Sequence, residues 1–440
     1  MNLDLALKPI LWPDLLKQLM PVKTINKCRL CGNNKLTPIF TLGKLYISNF
    51  IDAPRLRQGY GGQAKERKAP LDLVLCPKCS LLQLKYTVSA NQMYKSYWYF
   101  SGVNKTMREE LADISASAAG LVDLRPGDFV LDIGSNDSTL LLSYKNIKSK
   151  FVGFEPARNL MAKARIGNLE IINDFFNYAA WQKRFAGKKA KIITAIAMFY
   201  DLDKPNEFVA DIAKCLDQDG VFIIQMSYLP SMLKQNDFTN ICHEHLEYYS
   251  LFSLENLLKK HGLEVFDVLL NDVNGGSFRI YIQRKGGARP VNVRVLKLRK
   301  IEKKLSLLNK KVYRDFVSRI NKLKKITKSF IEAEIKKGKK VYVYGASTKG
   351  NTLLQFYNLK YPLIEAAADR NPIKWGKKTV GALIPIISEE QARKEKPDYF
   401  LVLPWHFLKE FIKREENYLK SGGKFIVPLP DFRIISKKAL

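Results

Sequence analysis

Residues 130–138, with the sequence Val-Leu-Asp-Ile-Gly-Ser-Asn-Asp-Ser, decide the fold of this chain. An apolar run ends at Asp132 and a glycine turn, and the apolar residues 139–141 follow, which indicates a strand, a tight turn and the start of a helix. The backbone N–H groups of such a turn lie at a helix N-terminus, where they can bind a polar ligand. The turn contains three candidate ligand contacts, which are Gly134, Ser135 and Asn136.

Two further strand ends extend this predicted site. The strand at residues 151–154 ends in Glu155, 23 residues after Asp132, where a carboxylate can accept hydrogen bonds from ribose hydroxyls. A later strand end contains Asp174 and Phe175, which suit the edge and the face of an adenine. The turn lacks the GxGxxG sequence that accommodates a pyrophosphate, so S-adenosylmethionine, which has a ribose and no phosphate, fits best. A different nucleotide on the same fold is the alternative.

Apolar runs alternate with helical patterns on both sides of this segment. From about residue 105 to 285 the alternation predicts a mostly parallel sheet covered by helices. The Lys-rich stretch 291–338 has apolar residues at three- and four-residue steps and predicts one or two amphipathic helices. A second α/β block begins near residue 339 and ends near residue 430, which predicts a smaller Rossmann-like domain.

Four of the six cysteines form two CxxC pairs, which are Cys28 with Cys31 and Cys76 with Cys79. Each pair can place two thiolates on a tight turn, and two such turns supply the four tetrahedral ligands of a zinc ion at about 2.3 Å. Because four thiolates leave no open coordination position, this zinc is expected to stabilise a fold and to do no chemistry. Buried or redox-active thiols are the alternative.

The composition limits the class of protein. The chain has 440 residues, of which 46% are hydrophobic, unlike a disordered protein. A net charge of +31 suits an anionic partner or simply solvated lysine-rich helix faces, and does not choose between them. No secretory signal and no membrane-spanning apolar run is visible, so a cytoplasmic protein is expected.

Residues 242–250, Cys-His-Glu-His-Leu-Glu-Tyr-Tyr-Ser, concentrate groups that suit acid–base chemistry. A histidine can remove a proton next to a carbonyl while a neighbouring glutamate orients it and a tyrosine supports the enolate. Metal binding is less well supported because the HExxH spacing is absent, and a polar helix cap is a further alternative. A second cluster, residues 97–104, could wall a sugar site or pack a domain junction.

Taken together, these motifs closely resemble the sugar C-methyltransferase family of antibiotic and surface-polysaccharide pathways. The resemblance covers nearly the whole chain after residue 24 and includes YWYFSGVN at 97–104, LDIGSND at 131–137 and YGASTKGNTLLQ at 344–355. That family has an N-terminal zinc-binding domain, a class I methyltransferase core and a C-terminal Rossmann-like domain. Its best-known members methylate C3 of a dTDP-4-keto-6-deoxy sugar, which implies a nucleotide-sugar substrate here.

The resemblance also implies roles for individual residues. His245 would be the base that forms the enolate, with Glu244 and either Tyr97 or Tyr99 in support, and His243 is a further catalytic candidate. The cofactor would be held by Asp132, Gly134, Ser135, Asn136, Glu155, Asp174 and Phe175. The substrate would be held by Tyr200, Cys242, Gly345, Ser347 and Lys349, with Lys349 as the counter-charge to the phosphates.

Four positions depart from the family pattern. Ser138 stands in place of the usual glycine, Cys242 in place of a tyrosine, Tyr200 near the place of a histidine, and Phe100 in place of an arginine. They leave open the sugar, the methylated carbon and transfer to oxygen instead of carbon. A non-catalytic nucleic-acid-binding module is the third hypothesis, but residues 291–338 offer few aromatic platforms, so no nucleic acid is expected.

The predicted domain boundaries follow from these patterns. They are an N-terminal extension at 1–23 with a short amphipathic helix, a zinc-binding domain at 24–100 with a flexible insertion at 54–70, a methyltransferase domain at 101–285, a helical linker at 286–337 and a C-terminal Rossmann-like domain at 338–440. The sequence indicates no oligomeric state.

Overall fold

The computed structural model describes residues 22–47, 50–52, 67–94, 97–144, 148–163 and 168–437. The predicted helix within residues 1–23 and most of the predicted insertion at 54–70 lie outside this range. Within it, the chain forms an N-terminal module, a central α/β domain, a pair of long helices and a second α/β domain.

The N-terminal module is built on an antiparallel sheet. Its strands are β1 (Lys23–Thr24), β2 (Thr37–Tyr46), β3 (Phe50–Asp52), β4 (Lys68–Leu75), β5 (Leu82–Leu84) and β6 (Tyr86–Thr87), followed by helix α1 (Ala90–Tyr94). The main sheet has the order β12-β5-β4-β2, in which β12 (Glu247–Tyr248) is contributed by the central domain. The segment that follows Cys242 is therefore hydrogen-bonded into the N-terminal module.

One predicted boundary is corrected by strand β4. Residues 68–70 were expected to belong to the flexible insertion, but they pair with residues 44–46 of β2, and Ala69 is fully buried. A backbone whose N–H and C=O groups are paired and whose side chain packs in a core is ordered. Polar and glycine-rich composition further upstream masked this strand start in the sequence.

The central domain is a seven-stranded sheet with the order β13-β14-β11-β10-β7-β8-β9. The strands are β7 (Phe129–Ile133), β8 (Lys150–Phe154), β9 (Leu169–Ile172), β10 (Ala190–Ile196), β11 (Leu216–Ser227), β13 (Leu263–Asn271) and β14 (Ser277–Arg284). Strands β7 to β11 pair in parallel, whereas β14 is antiparallel to both β11 and β13.

Helices cover both faces of this sheet, and its central strands are therefore buried on both sides. All five residues of β7 are buried, as expected for a continuous apolar run in a parallel sheet. The helices are α2 (Lys105–Ala119), α3 (Thr139–Leu142), α4 (Tyr178–Arg184), α5 (Pro205–Cys215), α6 (Leu229–Lys234) and α7 (Leu251–Leu258), with short 3₁₀ turns at Phe199–Asp201 and Phe238–Asn240. The predicted class of fold, a Rossmann-like core beside a cysteine-rich module, is confirmed.

The Lys-rich stretch forms two helices, α8 (Val293–Leu305) and α9 (Lys310–Lys336). Ser306 ends α8 in a left-handed conformation with φ 50°, and the Asn309 side chain caps α9 by accepting a hydrogen bond from the Lys311 N–H at 2.9 Å. One face of α9 is buried in the core that it shares with the second α/β domain.

The second α/β domain has a six-stranded sheet with the order β18-β16-β15-β19-β20-β21, parallel except for β21. Its strands are β15 (Val341–Tyr344), β16 (Ala367–Asp369), β18 (Ile386–Ser388), β19 (Tyr399–Val402), β20 (Lys424–Val427) and β21 (Arg433–Ile435). Its helices are α10 (Thr348–Tyr357), α11 (Glu389–Glu395), α12 (Leu408–Arg414) and α13 (Glu416–Lys420), with a 3₁₀ turn at Trp405–Phe407.

The second domain also contacts the N-terminal module directly. Strand β17 (Lys377–Thr379) pairs with β3 in an antiparallel ribbon. Among the residues that the structure describes, no helix is both long and apolar enough to cross a membrane.

Candidate active site

The four predicted cysteine ligands converge in the N-terminal module. The sulfur atoms of Cys28, Cys31, Cys76 and Cys79 all lie within 4.8 Å of one another. The Sγ atoms of Cys28 and Cys79 are 3.5 Å apart, and those of Cys31 and Cys76 are 3.4 Å apart. This spacing fits four thiolates around one zinc ion.

Two turns of the same kind present these sulfurs. Gly32 and Ser80, the residues after each CxxC pair, both have positive φ, at 70° and 54°. Their N–H groups donate to the carbonyl oxygens of Cys28 and Cys76, each at 3.0 Å. The left-handed residue folds each pair back on itself and brings its two sulfurs to one side, which meets the geometry of a closed structural zinc site.

The cofactor turn follows strand β7 as the sequence predicted. Gly134 has φ 71°, and a Cβ atom at this position would lie 3.1 Å from Cγ of Met198. Gly153 on the neighbouring strand allows the turn to approach closely, because a Cβ there would lie 2.5 Å from the Ser135 Oγ. The two glycines therefore allow Met198 and Ser135 to pack closely against the turn and the neighbouring strand.

Two buried carboxyl groups border this turn. Glu155 accepts hydrogen bonds from the backbone N–H groups of Asn136 at 2.9 Å and of Ala157 at 2.7 Å. Asp132 accepts a hydrogen bond from the Thr194 hydroxyl at 2.6 Å, and burial raises the pKa of Asp132 to about 7. Each hydrogen bond uses one lone pair of an oxygen, so both carboxyl groups keep acceptor capacity for ribose hydroxyls.

The aromatic segment 97–104 binds to the cofactor turn through its backbone. The N–H groups of Ser101 and Gly102 donate to the side chains of Asn136 at 3.0 Å and Asp137 at 2.8 Å. The Asn136 amide donates in return to the Tyr99 carbonyl at 3.0 Å. The segment therefore lies directly against the turn that is predicted to bind the cofactor.

The residues present fit S-adenosylmethionine. Ser135 and Ser138 both have buried hydroxyl oxygens that lack a hydrogen-bond partner among the described residues, which marks a place for a polar ligand. Asp174 and Phe175 lie exposed at the end of strand β9, where Phe175 is 39% exposed. Ser138 adopts φ 64°, so the backbone keeps the left-handed conformation that a glycine would favour.

His245 is held in one orientation at the edge of the central sheet. Its Nδ1 atom lies 2.8 Å from the carbonyl oxygen of Asn240, which can only accept a hydrogen bond. Nδ1 therefore carries the proton and Nε2 is left with a free lone pair. The ring packs on Tyr200 with centroids 4.2 Å apart, and burial together with the charge of Lys349 lowers the pKa of His245 to about 3.

The residues beside His245 have different environments. Glu244 is buried, its Oε2 has no hydrogen-bond partner among the described residues, and burial raises its pKa to about 6. Burial also raises the pKa of the Cys242 thiol well above its usual value. His243 points the other way, with Nε2 3.0 Å from the Ala69 carbonyl oxygen of strand β4. The structure thus places His243 against the N-terminal module.

Tyr97 and Tyr99 are separated by the structure. Tyr97 lies near Asp201, Glu244 and Cys242, whose charges add to burial in raising its pKa. The Tyr99 side chain is 43% exposed beside the cofactor turn. Tyr97 is therefore the tyrosine near Glu244, whereas Tyr99 lies near Asp137 and also adds to the raised pKa of Tyr200.

The second α/β domain brings Lys349 to the same place. Ser347 caps helix α10 by accepting a hydrogen bond from the Gly350 N–H at 2.9 Å, and Gly345 precedes it with φ 83°. The ammonium nitrogen of Lys349 is buried, and its charge lowers the pKa of His245 and of His406. Residues from two domains therefore meet around His245.

Several site residues were not identified individually from the sequence. Asp201 is buried, receives a hydrogen bond from Tyr94, and has a pKa well above its usual value because of burial. Asp201 lies in the segment MFYDL at 198–202 and His406 in LPWHF at 403–407, two further segments that resemble the sugar C-methyltransferase family and were the available signal. Glu247 belongs to the 242–250 segment, but Asn240 and Tyr94 carried no signal, because their contacts with the segment depend on folding.

Family models match three consecutive parts of the chain. A zinc-binding domain matches residues 28–94, a methyltransferase domain matches 103–268, and the C-methyltransferase C-terminal domain matches 272–430. The four converging cysteines lie in the first, the cofactor turn and His245 in the second, and Lys349 in the third. The chain binds S-adenosylmethionine and zinc.

One relative that matches nearly the whole chain supports the same assignment. The C-methyltransferase NovU of Streptomyces niveus is 31% identical over 424 residues, which cover 95% of this chain and 99% of NovU. Magnesium protoporphyrin IX methyltransferase of Synechocystis with bound S-adenosylmethionine matches 40% of this chain and 79% of its own at 12% identity and TM-score 0.31. The YcgJ protein of Bacillus subtilis matches 40% of this chain and 99% of its own chain at 15% identity and TM-score 0.32. TM-scores this low carry no functional argument. This chain belongs to the C-methyltransferase family and is an S-adenosylmethionine-dependent methyltransferase.

Proposed function

We propose that the enzyme methylates a carbon atom next to the ketone of a dTDP-type, nucleotide-linked keto-deoxy sugar. The observation that carries this proposal is the hydrogen bond between His245 Nδ1 and the Asn240 carbonyl oxygen. It fixes the tautomer in which Nε2 is unprotonated, which is the form that a general base requires.

The surroundings of His245 suit proton removal from carbon. The lowered pKa keeps its imidazole neutral at neutral pH, so the lone pair of Nε2 is free to accept a proton. The same shift makes this imidazole a weaker base, and the negative charge that forms on the enolate must offset it. Proton transfer creates an imidazolium beside the enolate, and the two opposite charges stabilise each other in a buried site. Tyr200 supports the ring of His245, while Glu244 and Tyr97 border the space in which the sugar is proposed to bind.

The cofactor residues complete this arrangement. S-adenosylmethionine supplies a methyl group bonded to a positively charged sulfur. Asp132 and Glu155 are proposed to accept hydrogen bonds from its ribose, Asp174 and Phe175 to bind its adenine, and the turn at 134–136 to hold the remainder. Gly345 and Ser347, at the start of helix α10, are proposed to receive the nucleotide sugar.

The test begins with binding. Nucleotide sugars are screened by thermal shift in the presence of S-adenosylhomocysteine, because a ligand that binds the folded state raises its melting temperature. A dTDP-4-keto-6-deoxy sugar should raise Tm more than dTDP-glucose, which lacks the ketone.

The product then decides the reaction. With methyl-labelled S-adenosylmethionine, NMR should show the new methyl group bonded to carbon beside the ketone. A new methoxyl group would replace the proposal with transfer to a sugar hydroxyl. A product from dTDP-glucose equal in amount would exclude the enolate mechanism.

A further inference from the structure

The ammonium group of Lys349 is buried, has no hydrogen-bond partner among the described residues and influences His245. We call His245, Glu244, Asp201 and Cys242 the catalytic cluster. The Nζ atom of Lys349 is shielded from solvent, and it makes no hydrogen bond among the residues that the structure describes. Transferring an ammonium from water into a protein costs several kcal/mol unless a partner compensates it. Such a group persists in a folded enzyme where it serves a ligand.

Packing between domains fixes the place of this lysine. Helix α10 starts at Thr348, and the Phe238 ring at the beginning of the 238–240 turn packs on two of its rings, Phe356 at 5.2 Å and Tyr357 at 5.4 Å. The 238–240 turn ends at Asn240, whose carbonyl oxygen orients His245. The base and the ammonium are therefore attached to the same packed unit.

The titratable groups near Lys349 indicate what charge a ligand at this position should carry. The positive charge of Lys349 acts to lower the pKa of five neighbouring groups, which are Asp201, Asp237, Cys242, His245 and His406. A pyrophosphate, with two negative charges, would face only the one ammonium of Lys349 and would lie beside the carboxyl groups of Asp201 and Asp237. A single negative charge that develops during the reaction is the better match to a single ammonium.

We propose that Lys349 stabilises the enolate oxygen of the substrate, so that the second α/β domain supplies the electrophilic group of the catalytic centre. This inference rests on the proposed function. In the step concerned, the C–H bond beside the ketone breaks and its proton bonds to His245 Nε2. The electron pair forms a carbon–carbon double bond, and the carbonyl π pair moves onto oxygen, where Lys349 meets the negative charge.

The first test measures proton removal alone. Wild type and Lys349→Met are incubated with dTDP-4-keto-6-deoxyglucose and S-adenosylhomocysteine in D₂O, and deuterium at the carbon beside the ketone is followed by NMR. The variant should exchange about 100-fold more slowly at saturating substrate, as loss of one oxyanion donor does in other enzymes. Lys324→Met is the matched control. Lys324 belongs to helix α9, and its ammonium lies over the Phe356 ring of helix α10, outside the group of residues around His245.

Two further readouts distinguish this role from others. Lys349→Met should bind dTDP as tightly as wild type and should melt near the wild-type temperature, because the lost ammonium makes no hydrogen bond among the described residues. Equal exchange by variant and wild type, or a large loss of dTDP affinity, would overturn the role of Lys349 and leave the proposed function intact. A wild-type enzyme that binds the sugar nucleotide without any exchange would overturn both.

Discussion

The Arg29 Nε atom lies 4.0 Å from the Glu247 Oε1 atom, and the two side chains are almost completely buried. Arg29 stands between zinc ligands Cys28 and Cys31, whereas Glu247 lies two residues after His245. Arg29 also donates hydrogen bonds to the Leu84 carbonyl oxygen and the Thr87 hydroxyl, both at 2.7 Å. The zinc turn therefore supplies the positive charge nearest to a buried carboxyl group of the catalytic segment.

The first prediction concerns this pair. Arg29→Met should lower the free energy of unfolding by about 3 kcal/mol, because it removes the hydrogen bonds to Leu84 and Thr87 and the positive charge beside Glu247 and Asp203. Urea denaturation measures the loss, and adding Glu247→Gln should recover part of it. Lys27→Met, at an exposed neighbouring position, is the control, and an equal effect of both single variants would contradict the coupling.

The second prediction concerns zinc. Metal analysis of the purified chain should find about one zinc per chain, and Cys76→Ser should lose it and melt at lower temperature, because a structural zinc contributes folding free energy. Cys215→Ala removes a buried thiol that is not one of the four grouped cysteines and should retain the metal. Zinc content unchanged by Cys76→Ser would refute the four-cysteine site.

The third prediction tests the close approach at the cofactor turn. Gly153→Ala would place a Cβ atom 2.5 Å from the Ser135 Oγ and 2.6 Å from Ile171 Cδ1, so the turn must move. Affinity for S-adenosylhomocysteine, measured by calorimetry, should fall about tenfold, since displaced contacts cost roughly 1.4 kcal/mol. Gly120→Ala meets only helix carbonyl oxygens at 3.6 Å and should bind normally.

The fourth prediction follows from the pKa of Asp132. The pKa is raised from 3.8 to about 7, so the folded state holds this proton more tightly than the unfolded state does. The resulting stabilisation is complete below about pH 4 and is lost as pH rises through about 7. Asp132→Asn, which cannot ionise, should melt above wild type near pH 8 and together with it near pH 4. Parallel Tm profiles would contradict the shift.

Local sequence patterns were sufficient for much of this structure. The strand that ends at Asp132, the left-handed turn after it and both CxxC turns depend on nearby residues, so the sequence predicts them. The direction of His243 toward Ala69 and the approach of Lys349 to His245 depend on contacts between domains. No local pattern encodes such contacts, so the sequence alone could not give the direction of the His243 ring or the electrostatic effect of Lys349 on His245.

The antiparallel end of the central sheet has a similar explanation. Strands β13 and β14 have the same apolar character as the parallel strands before them, and both are largely buried. Their direction depends on the short connection between them, residues 272–276, which leaves no room for a crossover helix. The length of the connection was therefore the signal in the sequence for the direction of these strands. Apolar periodicity alone does not indicate whether a strand is parallel or antiparallel.

In the proposed mechanism, His245 removes a proton from carbon before the methyl group is transferred. Its most direct test is methyl transfer from labelled S-adenosylmethionine to dTDP-4-keto-6-deoxyglucose by wild type and His245→Gln, with S-adenosylhomocysteine affinity measured for both. We expect a carbon-bound methyl group from wild type and none from the variant, with cofactor affinity unchanged. Undiminished carbon methylation by His245→Gln would contradict the account.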